Sequence, residues 1–286
     1  MATFQNRATL TYNNFVTNSN TVTGEIVETL SAAKNAIDST YASGEDITYV
    51  VSIVNSGTTP FTGLTVTDDL GTYTVGTGPA TATPLTYVDG SVALYVNGVL
   101  SGTPTVTSTY PLVFTGINVP AGGNAVLIYR ARVNEFAPLG TDTTIVNTAT
   151  ITGGGLAAPV IVDATVTATA APFLTITKAL APTVVRENGQ ITYTFVIQNL
   201  GNTAADIGDS VTVTDTFDPI IDITAVTLDG VTLTSPADYT YDQTTGEFAT
   251  VPGRITVPAA TYTQDPTTGE FTTVPGGVTL TVTGTI

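Results

Sequence analysis

Apolar and polar residues alternate along the chain in short runs that are separated by turn-forming residues. The 27 Gly and 16 Pro residues fall between these runs, while Thr, Val and Ala are common within them. An alternation of period two places every second side chain on one face of a strand. No stretch keeps a helical period beyond a turn or two, and the best candidate, 30–36, fits a strand better. The pattern predicts an all-β protein of many short strands joined by turns.

The chain contains two homologous modules in tandem. Residues 34–57 (KNAIDSTYASGEDITYVVSIVNSG) match residues 178–201 (KALAPTVVRENGQITYTFVIQNLG) without a gap, at an offset of 144. The run LTVTDDLG, with Asp68, matches VTVTDTFDP, with Asp215, at an offset of 147, so the second copy has three inserted residues. Residues 116–133 have their counterpart in PGRITVPA and in the closing VPGGVTLTVTGTI. At 286 residues, each module is long enough to bury its own core.

The second module lacks the last hairpin of the first. The first module continues past Val133 into IVNTATITGGGLAAPVIVDATVTAT, whereas the second reaches Ile286 at the position equivalent to Val133. A matching hairpin opens the chain, where Asn6 of NRATLT aligns with Asn147 of NTATIT. The sequence therefore predicts two immunoglobulin-like sandwiches and a donor hairpin. We predict an N-terminal donor hairpin at 1–27, a complete first sandwich at 28–170 and a second sandwich at 171–286 without its last hairpin.

An open sandwich exposes a strand edge and an apolar inner face, which is an aggregation liability unless both are covered. A free strand of complementary pattern covers them by strand addition. Within one chain this addition gives a closed monomer, whereas between chains the contact is heterologous and propagates into a filament. A full module separates the donor from the acceptor, so we favour the filament.

Charge and composition exclude several functions. A net charge of −16 argues against nucleic acid or an anionic membrane surface as partner. The absence of Cys and His removes disulfides, thiolate metal sites and the commonest general base, so we expect neither a metal nor a cofactor. The first 25 residues contain no apolar signal-peptide core, and no apolar run reaches membrane-spanning length. We therefore expect either a mature secreted form or release by lysis of a mother cell around a spore.

Short motifs of two kinds predict turns. The sequence Asp-x-Thr-Thr-Gly-Glu-Phe occurs at 242–248 and again at 265–271, and it is typical of a hairpin turn flanked by strands. A calcium loop is the alternative, although two carboxylates five residues apart supply few of the oxygen ligands that calcium needs. Asn55 and Asn199 each begin an Asn-x-Gly sequence, and they are interpreted as turn formers.

Polar residues of three kinds are predicted to face the core. The only two lysines, Lys34 and Lys178, occupy equivalent positions of the two modules and share strand parity with apolar residues. The same parity test turns two aspartates and two asparagines inward: Asp68, Asp215, Asn147 and Asn6. Asp69 is a weaker alternative to Asp68, because its parity points outward. Inward polar side chains are unfavourable unless they meet one another.

Lysine, aspartate and asparagine that meet in an apolar core have one specific reaction open to them. Desolvation lowers the pKa of an amine and raises that of a carboxyl, so the amine becomes a nucleophile and the carboxyl a proton donor to the asparagine carbonyl. Attack with loss of ammonia leaves an isopeptide bond, and the fold supplies the effective molarity. The alternative is that the lysines form ordinary salt bridges at strand ends, that the aspartates lie in turns and that the asparagines cap strands.

The module, with ITKALAP, ENGQITYTFVIQNLGN, VTVTDTFDP and NTATIT, resembles a surface-repeat family of bacterial and archaeal cell-surface proteins that was long catalogued as a domain of unknown function. The polar set resembles the intramolecular isopeptide domains of Gram-positive pilins and collagen adhesins, although no sortase motif is present. That second resemblance implies two bonds, one within the chain and one between chains. The first joins Lys34 to Asn147 beside Asp68, and the second joins Lys178 to Asn6 beside Asp215.

These observations predict a structural subunit of a self-assembling extracellular fibre, such as a spore appendage or cell-surface filament, whose partner is another copy of itself. A monomeric adhesive or ligand-binding surface module is the alternative, in which the second sandwich is closed by the chain's own N-terminus. An enzyme such as a glycosidase with paired carboxylates is disfavoured, because the acids lie in turns at repeat spacing and aromatic residues are few.

Overall fold

The computed structural model describes residues 2–26 and 29–286, and it confirms the predicted all-β fold class. The described residues form 28 strands and one three-residue 3₁₀ helix, Ile207–Asp209. No helix in these two ranges is long and apolar enough to cross a membrane. The described residues divide into two compact units: unit 1 has those up to Ala137 together with Thr144–Thr167 and Thr267–Gly269, and unit 2 has Pro138–Thr143, Ala168–Pro266 and Glu270–Ile286.

The strands up to residue 168 are β1 (Ala2–Asn6), β2 (Thr9–Tyr12), β3 (Phe15–Asn18), β4 (Val22–Ile26), β5 (Leu30–Ala36), β6 (Thr40–Tyr41), β7 (Asp46–Asn55), β8 (Phe61–Asp68), β9 (Tyr73–Thr74), β10 (Thr81–Ala82), β11 (Leu85–Tyr87), β12 (Ala93–Val96), β13 (Val99–Leu100), β14 (Thr105–Thr109), β15 (Leu112–Val119), β16 (Asn124–Val133), β17 (Thr144–Gly153) and β18 (Val160–Ala168). The remaining strands are β19 (Leu174–Ala181), β20 (Gln190–Asn199), β21 (Thr214–Thr216), β22 (Asp222–Leu228), β23 (Val231–Thr232), β24 (Tyr239–Tyr241), β25 (Glu247–Thr250), β26 (Thr261–Gln264), β27 (Phe271–Val274) and β28 (Gly276–Thr285).

Unit 1 contains a sandwich of two sheets. One has the order β13-β12-β16-β7-β5, with β11 also paired to β16, and the other has the order β14-β15-β8-β17-β18-β6. Buried and less buried residues alternate strictly along most of β7, as the sequence pattern predicts. The rings of Tyr129 on β16 and Phe114 on β15 lie 5.2 Å apart, so the core is formed by side chains from both sheets.

Unit 2 repeats this architecture in part. Its five-stranded sheet has the order β19-β20-β28-β22-β23, which is the order of the first sheet of unit 1 strand for strand. The register is also preserved, because Lys34 pairs with Val51 and Lys178 pairs with Phe195, both at the 144-residue offset. The second sheet of unit 2, β21-β25-β24, corresponds to β8-β15-β14. Strands β26 and β27 form a separate hairpin.

The two units differ at one sheet edge. Strand β8 pairs with β15 on one side and with β17 on the other, whereas β21 pairs only with β25 among the described strands. The inner face of β19 is correspondingly open, since Ile176 is 53% exposed while the equivalent face of β5 buries Leu30. The described part of unit 2 therefore has no counterpart of β17 and β18.

The N-terminal strands form a long hairpin. Strand β1 pairs with β4 and β2 pairs with β3, around a turn at Asn13 and Asn14 that has positive φ at both residues. Two consecutive positive φ angles are the signature of a type I′ turn, which matches the twist of the flanking strands. The large apolar side chains of this hairpin are exposed: Phe4, Leu10, Tyr12, Phe15, Val16 and Val22. A two-stranded hairpin is marginally stable in water without a surface to pack against.

The predicted turns form as hairpin connections. The backbone N–H of Asp242 donates to the carbonyl of Glu247 at 2.9 Å between β24 and β25, and Asp265 donates in the same way to Glu270 between β26 and β27. No group of three or more acidic, His or Cys side chains within the described ranges is arranged to hold a metal ion. The side chain of Asn55 bridges its turn, as Nδ2 donates to the carbonyl of Thr59 at 2.9 Å.

Candidate functional site

The lysine and aspartate of unit 1 meet in its core. Lys34 projects inward from β5 and Asp68 from the end of β8, and Nζ lies 2.6 Å from Oδ2 with both side chains fully buried. The other carboxylate oxygen, Oδ1, accepts a hydrogen bond from the backbone N–H of Leu70 at 3.0 Å. Burial of two charges has a desolvation penalty that offsets their attraction. The pair is therefore poorly explained by stability alone.

Asn147 lies beside this ion pair on β17. Strand β17 runs antiparallel to β8 with Ala149 opposite Asp68, so Asn147 occupies the next inward-facing position. Its side chain is completely buried, and neither the amide oxygen nor the amide nitrogen has a hydrogen-bond partner. Buried polar atoms without partners are rare, and each costs about 1–3 kcal/mol. An asparagine left in this state next to an amine and a carboxyl is a candidate reactant.

Two tyrosines connect these three side chains. Tyr49 on β7 and Tyr129 on β16 are directly opposite each other, with their rings stacked at 5.7 Å. The Tyr129 hydroxyl donates to Asp68 Oδ2, and Lys34 Nζ lies 4.9 Å from the centre of the Tyr49 ring. The Asn147 amide lies near both hydroxyls and acts to lower the pKa of each, although it makes no hydrogen bond of normal geometry.

Burial decides the protonation states around the site. Desolvation lowers the pKa of Lys34 below its ordinary value, against the opposing attraction and hydrogen bond of Asp68. Desolvation also raises the pKa of Tyr49 and of Tyr129, and the Asp68 charge acts in the same direction. The lysine is therefore easier to obtain as a neutral amine, which is its nucleophilic form, while both phenols remain hydrogen-bond donors.

Asp69, the alternative acid, lies outside the site. Its Oδ1 accepts hydrogen bonds from the backbone N–H groups of Gly71 and Thr148, each at 2.9 Å. The Asp69 side chain thus links the middle of β17 to the turn that follows β8. This placement agrees with the outward parity of its position.

The equivalent residues of unit 2 form an open version of the same pair. Lys178 forms an ion pair with Asp215, but the Lys178 side chain is 41% exposed, whereas that of Lys34 is buried. The Lys178 amine lies 4.6 Å from the ring centre of Tyr193, which is the counterpart of Tyr49. No strand covers this pair among the residues that the structure describes in unit 2.

Asn6, the predicted partner of Lys178, lies on the N-terminal hairpin. It is exposed on β1 and pairs across the hairpin with Val22. The structure therefore brings Lys34, Asp68 and Asn147 together, and it leaves Lys178 and Asp215 in unit 2 without an asparagine. Sequence reasoning missed the tyrosines. The signal available was the repeat of Ile-Thr-Tyr, which places Tyr49 and Tyr193 at the 144-residue offset.

No protein-family model and no curated protein matches the chain. Among solved structures, a variant of BcpA, the major pilin subunit of Bacillus cereus, is similar at 11% identity and a TM-score of 0.39, covering 95% of this chain and 73% of that one. The RrgB pilus backbone of Streptococcus pneumoniae is similar at 13% identity and a TM-score of 0.36; this chain spans 55% of its length, and the match covers 86% of this chain.

The collagen-binding subdomain of the Enterococcus faecalis surface protein ACE gives 7% identity and a TM-score of 0.32, over 50% of this chain and 99% of that one. All three TM-scores lie below 0.5.

Burial of Lys34 predicts that the free energy of unfolding depends on pH in a variant in which Lys34 has no asparagine to react with. In Asn147→Ala, the lowered pKa of Lys34 means that the unfolded chain binds more protons than the folded chain below the ordinary lysine pKa of 10.5. The free energy of unfolding should therefore rise with pH from the folded-state pKa of Lys34 towards 10.5. Urea unfolding across the alkaline range below the ordinary tyrosine pKa, about 10, measures this slope.

The matched control is Asn147→Ala combined with Lys34→Met, which keeps the apolar stem and removes the amine. We expect the pH slope to disappear in the double variant. Equal slopes in the two proteins would show that Lys34 is not the titrating group.

Proposed function

We propose that this protein is the structural subunit of a self-assembling extracellular fibre, in which the N-terminal hairpin of one subunit completes unit 2 of the next. The observation that carries the proposal is the open edge of β21 beside the exposed inner face of β19. In unit 1 the same edge and the same face are covered by β17 and β18. Unpaired strand edges and exposed apolar faces of this kind are sites for strand addition.

The hairpin has the pattern that the open edge requires. Counted from the aligned asparagines, Phe4, Ala8 and Leu10 take the places of Ile145, Ala149 and Ile151. Strand β4 then takes the place of β18, since Asn6 pairs with Val22 as Asn147 pairs with Ala164. The hairpin thus offers apolar residues to the face on which unit 2 exposes Ile176 and Leu180.

Assembly follows from the position of the two surfaces. The donor hairpin and the acceptor edge are different parts of the same chain, so the contact between two copies is heterologous. A heterologous contact leaves a free donor on one subunit and a free acceptor on the other, and it propagates into a filament unless the rotation closes a ring. Insertion of a chain's own hairpin into its own unit 2 would instead give a closed monomer, which size-exclusion chromatography separates from polymers.

Within unit 1, we propose that Lys34 and Asn147 condense. A proton passes from the Lys34 ammonium to the Asp68 carboxylate, which leaves a neutral amine and a carboxylic acid. The amine nitrogen attacks Asn147 Cγ while the acid polarises Oδ1. A proton from the attacking nitrogen passes to the amide nitrogen, whose bond to Cγ then breaks, and ammonia leaves. One amide replaces another, so no oxidant or cofactor enters the reaction. The fold holds the reactants in place, and each chain reacts once.

The same reaction at unit 2 would join two chains. Lys178 and Asp215 are present, and Asn6 of the incoming hairpin takes the position of Asn147. Strand addition comes first, because it covers the exposed Lys178 amine and brings the asparagine to it. The bond then removes the route of dissociation. The resemblance to bacterial and archaeal surface repeats supports a cell-surface setting for the fibre.

Intact mass tests the bond within the chain. We expect the wild-type mass to be lower than the sequence mass by one ammonia per intrachain bond, and we expect Lys34→Ala and Asn147→Ala each to have the mass of its own sequence. The bond closes a loop of more than 100 residues, for which a disulfide-like estimate gives about 4–5 kcal/mol of stabilisation. Both variants should therefore unfold at lower temperature. A wild-type mass equal to the sequence mass would exclude the bond.

Removal of residues 1–27 tests the donor hairpin. Without it, unit 2 keeps its open edge, so we expect a protein that forms no polymers and whose unit 2 unfolds more easily than unit 1. Negative-stain imaging and size-exclusion chromatography check this outcome. A synthetic peptide of residues 2–26 should then add once to the truncated protein. Polymers that persist after the truncation would place the contact elsewhere.

Boiling in SDS tests the covalent joint. Wild-type polymers should migrate as a ladder, whereas Lys178→Ala and Asn6→Ala should still assemble by strand addition and then fall to monomers. Lys34→Ala is the matched control, since it removes the equivalent lysine of unit 1 and should leave the ladder intact. Wild-type polymers that run wholly as monomer would leave only the non-covalent joint.

A further inference from the structure

The polar atoms without partners are concentrated at the unit 1 site. Among the residues that the structure describes, five buried side-chain oxygen or nitrogen atoms have no hydrogen-bond partner. Three of them lie together: the Tyr49 hydroxyl and both amide atoms of Asn147. Buried polar atoms are normally hydrogen-bonded. The lack of partners for these three atoms is therefore better explained by a role in the condensation of Lys34 with Asn147 than by a role in stabilising the fold.

The two tyrosines are held rigidly beside the reactants. Their backbones are paired directly across β7 and β16, and their rings stack at 5.7 Å with 26° between the planes. Tyr129 donates to the Asp68 oxygen that also accepts from Lys34. Tyr49 lies under the Lys34 amine and keeps its hydroxyl free. Fixed donors next to a carbonyl that develops negative charge are the arrangement that accelerates acyl transfer.

Unit 2 has only one of the two hydroxyls. Tyr193 corresponds to Tyr49, but the residue directly opposite Tyr193 on β28 is Val282. Among the described residues, Val282 therefore has the strand position in unit 2 that Tyr129 has in unit 1. The ring of Tyr193 stacks instead on Phe217, at 4.8 Å. The donor hairpin does not supply the missing group either, because the residues aligned around Asn6 on its inward face are Phe4 and Ala8.

We propose that Tyr49 and Tyr129 are positioning residues for the condensation of Lys34 with Asn147, Tyr129 by orienting the Asp68 carboxyl and Tyr49 by donating to the asparagine amide. We further infer that Val282 makes the condensation of Lys178 with Asn6 the slower of the two. This inference rests on the proposed function. Its consequence is an order of events, in which each subunit seals its own unit 1 before the joint to its neighbour becomes covalent.

The unit 1 test removes one hydroxyl and keeps the ring. Full-length Tyr129→Phe should be purified with a fraction that still retains its ammonia, and intact mass over time should show that fraction falling about 10²-fold more slowly than in wild type, as for the loss of one fixed donor. Tyr87→Phe is the matched control, since Tyr87 has a buried, unpartnered hydroxyl and its ring lies 6.0 Å from that of Phe114. It should react as wild type does.

The unit 2 test uses two full-length chains that allow one kind of covalent joint. An acceptor carrying Asn6→Ala and a donor carrying Lys178→Ala are mixed in denaturant and diluted together, so that the only covalent joint between chains links the donor's Asn6 to the acceptor's Lys178. The rate at which an SDS-resistant dimer appears measures the reaction. Adding Val282→Tyr to the acceptor should increase this rate by about 10²-fold, the lower end of the range for one positioned proton donor. A purely structural role for the tyrosine would not produce a gain.

Tyr193→Phe in the acceptor is a second variant, for the case in which the larger side chain at position 282 prevents folding. It should slow formation of the SDS-resistant dimer. Wild-type rates in Tyr129→Phe and Tyr193→Phe would overturn the role of the tyrosines and leave the fibre proposal standing. A wild-type chain that keeps its ammonia, in a mixture that gives no dimer, would instead contradict the condensation itself.

Discussion

An unpaired strand edge beside an exposed apolar face is a site for strand addition, and the organisation of this protein depends on how the two units differ at one such edge. In unit 1, β17 pairs with the edge of β8 and, with β18, completes the second sheet. In unit 2, the equivalent edge of β21 has no partner among the described strands, and β21 is three residues long where β8 has eight. We propose that completion of unit 2 is the step that turns a folded chain into an assembly.

The same edge controls the chemistry of the two sites. Covering it takes the lysine out of water, and burial lowers the pKa of that lysine at unit 1. The Lys178 side chain is partly exposed, and we propose that its reaction waits for the strand that brings the asparagine. On this proposal pairing and condensation are coupled, because only a docked hairpin removes the amine from solvent. Such coupling would protect a subunit from reacting with the wrong partner before assembly.

Much of the fold and of the site could be predicted from the sequence, because the chain contains two homologous modules that can be compared with each other. Alternation predicted strands, and the gap-free repeat placed Lys34 and Lys178 at the same register, which the pairing with Val51 and Phe195 shows. The tyrosines could not be found in this way. The contact of Tyr129 with Asp68 crosses the sandwich between residues distant in sequence, and no local pattern encodes it. The replacement of that tyrosine by Val282 became visible only once the strand registers were known.

The exposure of Lys178 also could not be predicted from the alternation of apolar and polar residues. Parity indicates the face on which a side chain lies, and it does so correctly for both lysines. Whether that face is covered depends on another strand, and for unit 2 we propose that this strand comes from another molecule.

Isotope mixing tests the central claim most directly. Subunits grown in heavy and in light medium are unfolded, mixed and assembled together, and the polymers are digested for mass spectrometry of the cross-linked peptides. The account predicts a peptide that joins Lys178 to Asn6, with heavy–light pairs as frequent as random mixing gives. Linked peptides that are only heavy–heavy or light–light would show closure within one chain, and the fibre joint described here would be wrong.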